Sequence, residues 1–396
     1  MLQVSVAEYQ ERLRKLQQLL AEKQIDLLIL ERNSDLYYYS GSVAPLYVFV
    51  PNHGEMVAVT RKAGTRFVQD APWVKLELFY NTADLKEIIR KYHLNEAVKI
   101  GFALENTAYV TVNRLLQLFN QAQPVDLTWD LHYLRMIKSA TELEILRQAG
   151  KIMAQLPAVI KENFKPGMTE LELSALIENF MRLNGYCGLS RCRRNEIEMI
   201  PGVSSAGENA LAGTKFDGIC AGIGLSPAVP YGASTKVIER GEPVILDYAF
   251  NFNGYHLDQT RMFCWGQPTE TVTQAFKAML QVEELIISEL KPGQSWSVPY
   301  EKALQLVDRL GFSKGFMGLG SEKVRFVGHG VGLELDEPPY LAPKMDFPLA
   351  AQMVVAVEPK VALEGVGVIG NEDTLIINES GCELLTTAPS EMIIID

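Results

Sequence analysis

With 396 residues, 47% of them hydrophobic and 21% charged, the chain has the composition of an ordinary globular protein and is long enough for two domains. Its formal net charge of -11 argues against nucleic acid or an anionic membrane as the main partner. No apolar run approaches the roughly 20 residues that span a bilayer. The first residues, Met1-Leu-Gln-Val-Ser-Val-Ala-Glu, read as the lead-in to a helix and not as a secretory signal. Cys187, Cys192, Cys220, Cys264 and Cys382 form no CxxC pair, which fits free thiols in a reducing compartment, so the cytoplasm is the expected location.

Along the chain, Leu13, Leu16, Leu19 and Leu20 fall at helical spacing among polar residues and give one apolar face. The runs Asp26-Leu-Leu-Ile-Leu, Leu46-Tyr-Val-Phe-Val, Met56-Val-Ala-Val-Thr and Val98-Lys-Ile-Gly-Phe read as strands. Residues 1–132 are therefore expected to form an α/β domain. From residue 133 to 396 the pattern changes. Ser139 or Thr141 can cap a helix running from Glu142 to Phe164, kinked at Pro157. Lys165-Pro-Gly-Met-Thr-Glu stops that helix and caps the next. Lys291, Pro292, Gly293 and Ser295 repeat Lys165, Pro166, Gly167 and Thr169 at a constant offset, and the helix ends Asn184-Gly-Tyr and Leu310-Gly-Phe keep it. The spacing predicts an α+β domain built from two copies of one helix–helix–sheet unit about a pseudo-two-fold axis.

Four acids and one histidine of this domain stand out. Val244-Ile-Leu-Asp-Tyr-Ala-Phe and Tyr255-His-Leu-Asp-Gln-Thr-Arg flank an Asn-Gly turn, a hairpin signal. A turn centred on Phe252/Asn253 or Asn253/Gly254 puts Asp247 and Asp258 on one face, opposite or diagonal. Two such carboxylates repel unless a cation lies between them. In the second copy Glu358 ends the apolar run Met353-Val-Val-Ala-Val, and Glu372 opens another. Taken singly, each acid has a plain structural reading: Asp247 paired with Arg261, Glu358 paired with Lys360, Glu372 a solvated turn residue. Taken together, four acids in two duplicated hairpins point to a metal centre. His329 lies in Val327-Gly-His-Gly-Val-Gly, where the flanking glycines permit close approach of backbone and ligand. One imidazole with four carboxylates suits manganese, cobalt, iron or zinc. Two such ions sharing a carboxylate would acidify a water held between them.

These motifs resemble the pita-bread metallohydrolases, which include Xaa-Pro dipeptidase, aminopeptidase P and methionine aminopeptidase. The resemblance rests on Arg135-Met-Ile-Lys-Ser, the Lys-Pro-Gly-x-Thr-Glu helix start and the Asp-x(10)-Asp-x-Thr-Arg hairpin. His-Gly-x-Gly-Leu, Val-Glu-Pro and the final Glu-Asp-Thr belong to it too. Asp26-Leu-Leu-Ile-Leu and Tyr39-Ser-Gly look like the creatinase-type N-terminal domain of prolidase and aminopeptidase P, which methionine aminopeptidases lack. The resemblance implies two divalent metal ions, manganese first among them, on Asp247, Asp258, His329, Glu358 and Glu372. It implies Glu358 as general base and acid, a short-peptide substrate cut after its N-terminal residue, and a homodimer.

The sequence departs from that pattern on the substrate side. Pro230 or Tyr231 stands where the family carries a Pro-His-Gly histidine. Asp336-Glu337 replaces a His-Glu pair, and Gly370 replaces an arginine two residues before the last glutamate. Losing one oxyanion donor costs about 10² to 10³ in rate, so Tyr231 is a candidate catalytic hydroxyl, against simple packing. His256 is more readily a packing residue, although it lies on the Asp258 face. Asp336 could meet a substrate amine or be structural, and Arg191, Arg193 and Arg194 could orient an anion or face solvent. The missing histidines also admit a hydrolase or lyase of a non-peptide small molecule. Creatine hydrolysis is disfavoured because the creatinase type lacks the metal ligands, and a non-catalytic module has no need of four clustered acids.

Overall fold

The computed structural model of the protein describes residues 2–194 and 198–396; Met1 of the expected helix lead-in lies outside them. The chain divides into two compact units, Gln3–Arg135 and Met136–Asp396, the latter with Leu2.

In the first unit the helix Val6–Glu22 is capped by Ser5, whose hydroxyl accepts from the Glu8 amide, and it buries Tyr9, Arg12, Leu16 and Leu20. That spacing of three and four residues is the helical stripe the leucines predict. Six strands form the sheet: β1 (Leu27–Leu30), β2 (Tyr47–Pro51), β3 (Val57–Thr60), β4 (Lys75–Leu78), β5 (Lys99–Phe102) and β6 (Gln123–Asp126), in the order β4-β3-β2-β1-β5-β6. The four central strands are the four apolar runs of the sequence. The two edge strands, β4 and β6, are mostly exposed or half-buried and polar, so no apolar run announces them.

The second unit opens with the helix Ala140–Met153, where Ser139 and Glu142 form a reciprocal capping box. The expected single kinked helix is two: a second one runs Leu156–Asn163 with Pro157 in its first turn. Proline lacks the amide hydrogen that the first turn leaves unpaired anyway, so it begins a helix here instead of bending one. The helices Glu170–Leu183, Glu270–Glu289 and Ser297–Leu310 follow. The strands are β7 (Gly202–Ala206), β8 (Pro243–Phe252), β9 (Tyr255–Trp265), β10 (Gly328–Gly330), β11 (Glu337–Tyr340), β12 (Val354–Val357), β13 (Lys360–Leu363), β14 (Gly367–Gly370), β15 (Asp373–Asn378), β16 (Gly381–Leu384) and β17 (Ile393–Ile395). They form sheets β17-β9-β8-β7 and β11-β10-β12-β15-β16, with β13 and β14 as a separate pair. A core of aliphatic side chains, including Met279, Val282 and Ile286 of the long helix with Val355, Val357 and Leu375, lies behind these strands.

The duplication is visible in backbone pairing. Thr169 bridges Val237 and Ser295 bridges Pro348, each antiparallel. Glu170 and Leu171 donate their amides to Lys236 and Ser234, and the matching Trp296 and Ser297 donate theirs to Phe347 and Met345. The displacement that carries Ser234 to Met345 and Lys236 to Phe347 also carries Asp247 to Glu358.

Candidate metal centre

Strands β8 and β9 meet at Asn253 and Gly254, whose φ values of 52° and 92° are both positive. This is the turn geometry whose twist matches a hairpin, and asparagine followed by glycine tolerates it best. Asp247 faces Thr260 and Asp258 faces Ala249, so the two acids lie diagonally on one face.

The second copy is one long hairpin broken in the middle. β12 pairs with β15 up to Val357 opposite Asp373, and β13 resumes with β14 at Lys360 opposite Gly370. The register is the same on both sides of the break, which sets Glu358 opposite Glu372 within it. Backbone bonds between Thr260 and Glu372, at 3.3 and 3.2 Å, tie β9 to this break and so bring the two hairpins together. Arg261 holds the junction from behind. Its guanidinium donates to the carbonyls of Thr260, Glu372 and Ala388 and to the Asp373 carboxylate at 2.7 Å. It is therefore not the partner of Asp247.

Among the described residues, one group of three donors gathers within 4.8 Å: Asp258, His329 and Glu372. His329 Nδ1 lies 3.1 Å from the Gly330 carbonyl. That bond fixes a proton on Nδ1 and turns Nε2 toward Asp258 at 3.8 Å and Glu358 at 3.4 Å. The glycines beside His329 let the neighbouring strands approach closely. A Cβ at Gly328 would lie 2.4 Å from the Ala356 carbonyl oxygen, and one at Gly330 2.3 Å from that of Pro338.

Lys360 is the residue that sequence reasoning passed over, naming it only as a partner for Glu358. Its side chain is 1% exposed, and its Nζ lies 2.7 Å from Glu358 Oε2, 3.0 Å from Glu372 Oε2 and 3.1 Å from Asp247 Oδ2. The signal was a lysine two residues after Glu358 in an otherwise apolar strand, a place where an amine must find acids. The Asp247 oxygen also accepts from the Cys220 thiol at 3.1 Å. Glu372 Oε2 takes a further bond from the Thr260 hydroxyl at 2.7 Å. Glu372 Oε1 is buried and has no hydrogen-bond partner. An oxygen of this kind costs about 1–3 kcal/mol unless something meets it. Together with Asp258 and His329 Nε2, it is a hard-and-borderline donor set that fits one divalent ion.

The electrostatics agree. Burial, then the nearby Asp247, pushes the Asp258 carboxyl up to about 7, and burial, then Asp258, raises Glu372 well above the usual range. Burial pushes Glu358 the same way, but Lys360 and His329 overcome it and bring it down to about 2. Burial would lower His329, yet its bond to Glu358 and the charges of Glu358, Asp258 and Glu372 lift it to about 10. Asp258 and Glu372 thus resist ionising together, a conflict that a cation between them relieves.

The other singled-out residues lie outside this group. The Tyr231 hydroxyl donates to the Glu198 carbonyl at 2.7 Å, so it would have to break that bond to reach a reacting group. His256 is fully buried, its Nδ1 3.0 Å from the Gly332 carbonyl and its Nε2 3.0 Å from the Arg191 amide, which makes it a neutral clip between two segments. Asp336 accepts from the Arg193 amide at 2.6 Å, and Arg194 pairs with Asp217 at 3.5 Å.

Comparison with known proteins adds the family context. The model of metallopeptidase family M24 matches residues 144–379, and that of the creatinase/prolidase N-terminal domain matches residues 12–137. An uncharacterized peptidase of Bacillus subtilis, YqhT, is 28% identical over 391 residues, covering 97% of this chain and 100% of that relative. The Xaa-Pro dipeptidase of Pyrococcus furiosus is 26% identical over 387 residues, covering 97% and 99%. Among solved structures, the Xaa-Pro dipeptidase from Bacillus anthracis superposes with a TM-score of 0.82 at 24% identity, over 98% of this chain and 100% of the other, which establishes a shared fold.

Proposed function

We propose, on the premise that the chain belongs to metallopeptidase family M24, that this enzyme removes the N-terminal residue of short peptides, with proline preferred in the second position. The observation that carries the reading is the buried group of Asp258, His329 and Glu372 around a carboxylate oxygen with no protein partner. The Xaa-Pro dipeptidase relative, aligned over nearly the whole of both chains, supports the substrate class. A divalent ion held by that group, manganese in the first instance, supplies Lewis acidity that activates water and polarises a carbonyl.

The rest of the chemistry belongs to this chain's own groups. Glu358 is the proton acceptor of the reading. Lys360 binds its Oε2 and keeps it ionised, while Oε1 is the oxygen turned toward His329. Protonated after water attacks, Glu358 is placed to return the proton to the departing amine. The His329 bond to the Gly330 carbonyl holds the ring orientation. A homodimer in the cytoplasm is part of the same reading; among the described residues no helix is long and apolar enough to cross a membrane, and all five cysteines are free.

A second reading is favoured by one observation. Neither accessory histidine of the family is present, and the Tyr231 hydroxyl is committed to Glu198. On that reading the same centre acts on a non-peptide small molecule. The deciding assay is release of free amino acid from dipeptides and tripeptides, with and without proline second, in added manganese, cobalt or zinc. Metal-dependent cleavage of Xaa-Pro bonds is expected. Silence across the panel from protein that demonstrably binds metal would select the second reading.

A further inference from the structure

The acids of the centre share their oxygens between two neighbouring positions. On one side Asp258, His329 and Glu372 each bring one donor atom to within 4.8 Å of the others, and His329 Nε2 lies 3.8 Å from Asp258 Oδ2 and 3.4 Å from Glu358 Oε1. On the other side Asp247 Oδ2, Glu358 Oε2 and Glu372 Oε2 converge on the Nζ of Lys360, at 3.1, 2.7 and 3.0 Å. Among the described residues, Asp247 joins no group of three donors close enough to hold an ion.

From this we infer that the Lys360 ammonium fills the second cation position, so that the centre takes one divalent ion where a two-metal site would take two. This rests on the metal-dependent reading above. An ion bound to the same oxygens at about 2.0–2.2 Å would lie within van der Waals contact of Nζ and carry the same sign of charge. The two cannot share the place.

The strand geometry explains how a lysine reaches it. Lys360 stands opposite Gly370, and a Cβ at that glycine would come within 2.6 Å of the lysine Cγ. The missing side chain at 370 is the room through which the lysine stem passes. The stem is wholly buried, as is Nζ, so the ammonium has no route to bulk water that would leave the position free. The two oxygens of Glu372 then have different tasks. One bonds the ammonium and the Thr260 hydroxyl, and the other, buried and without a hydrogen-bond partner, is left for the ion.

The test is the metal content of the full-length protein. Stripped protein is reloaded with excess Mn2+, freed of unbound ion, and read by elemental analysis and by electron paramagnetic resonance. The wild type is expected to hold one ion per chain and to show the six-line spectrum of an isolated Mn2+. Lys360→Ala is expected to hold two and to show an exchange-coupled spectrum. Two ions in the wild type, or a coupled spectrum from it, overturns the proposal without recourse to any variant. A folded Lys360→Ala that still binds one ion overturns it too, because the ammonium is then not what excludes the second. No bound ion in the wild type would remove the metal reading itself. Failure to cleave peptides, with one ion bound, would strike only the substrate assignment.

Discussion

Two imidazoles in the second unit meet opposite surroundings, and His256 gives the cleaner test because it touches no proposed ligand. Burial, only partly offset by the Gly332 carbonyl, lowers its pKa to about 4. An unfolded histidine titrates near 6.5, so between those values the native state binds fewer protons than the unfolded one. The contribution is therefore fully present above about pH 6.5 and is lost as pH falls toward 4, by about 3 kcal/mol for a group this deeply buried. Urea midpoints of the wild type should fall through that window. His256→Gln should start lower at pH 7.5, having lost the clip between Arg191 and Gly332, and should decline less steeply. An equally steep decline in the variant would assign the acid sensitivity to other groups. His329 behaves oppositely: its surrounding carboxylates favour its proton, with which a metal must compete for Nε2.

At the scale of the elements, packing decides where propensity alone would mislead. Gly150 lies inside the helix Ala140–Met153, where alanine is ordinarily better by roughly 0.5–1 kcal/mol. A Cβ there would come 1.9 Å from the Leu385 carbonyl oxygen, a backbone atom that cannot swing aside. Overpacking of that kind costs about 1–3 kcal/mol, so it outweighs the propensity gain. Gly150→Ala should lower the urea midpoint at unchanged m-value; a rise would show that the helix can move off Leu385. The same contrast separates what could be read in the sequence from what could not. β1, β2, β3 and β5 were legible because each buries a continuous apolar run. β4 and β6 were not, because an edge strand with solvent on its sides needs none. The β8–β9 hairpin was legible as far as placing Asp247 and Asp258 on one face, because the period of two does that for either turn; choosing the diagonal over the directly opposite placement took the register itself. The hairpin break that sets Glu358 against Glu372 was not legible: Pro359 marks a place where the ladder loses a donor, but not which residue lies across from Glu358. Lys360 was legible only as a partner for Glu358; that it also reaches Asp247 and Glu372 was not, because a lysine's reach depends on what lies across the strand, and Gly370 is legible as room only once the register is known.

For the whole molecule, the division into two compact units makes metal binding a local stability term with a distinct readout. The proposed donors Asp258, His329 and Glu372 all belong to Met136–Asp396, and the six-stranded unit Gln3–Arg135 contributes none. An ion that binds only the native state stabilises it by mass action, by about 2.7 kcal/mol at a hundredfold excess over Kd. Four clustered acids raise the expected effect further, since without a cation two of them oppose each other's ionisation. Calorimetric melting in excess Mn2+ and again in chelator should therefore move the transition of the second unit by several degrees and leave that of the first in place. Asp258→Ala should melt at the same temperature under both conditions and release no amino acid from any peptide. If the chelator moved both transitions together, the two units would unfold as one cooperative body, and the ion would then stabilise the entire chain. If it moved neither, with the wild type catalytically active, the acids would be neutralised by the protein alone, by Lys360 on Asp247, Glu358 and Glu372 and by a protonated His329 beside Asp258.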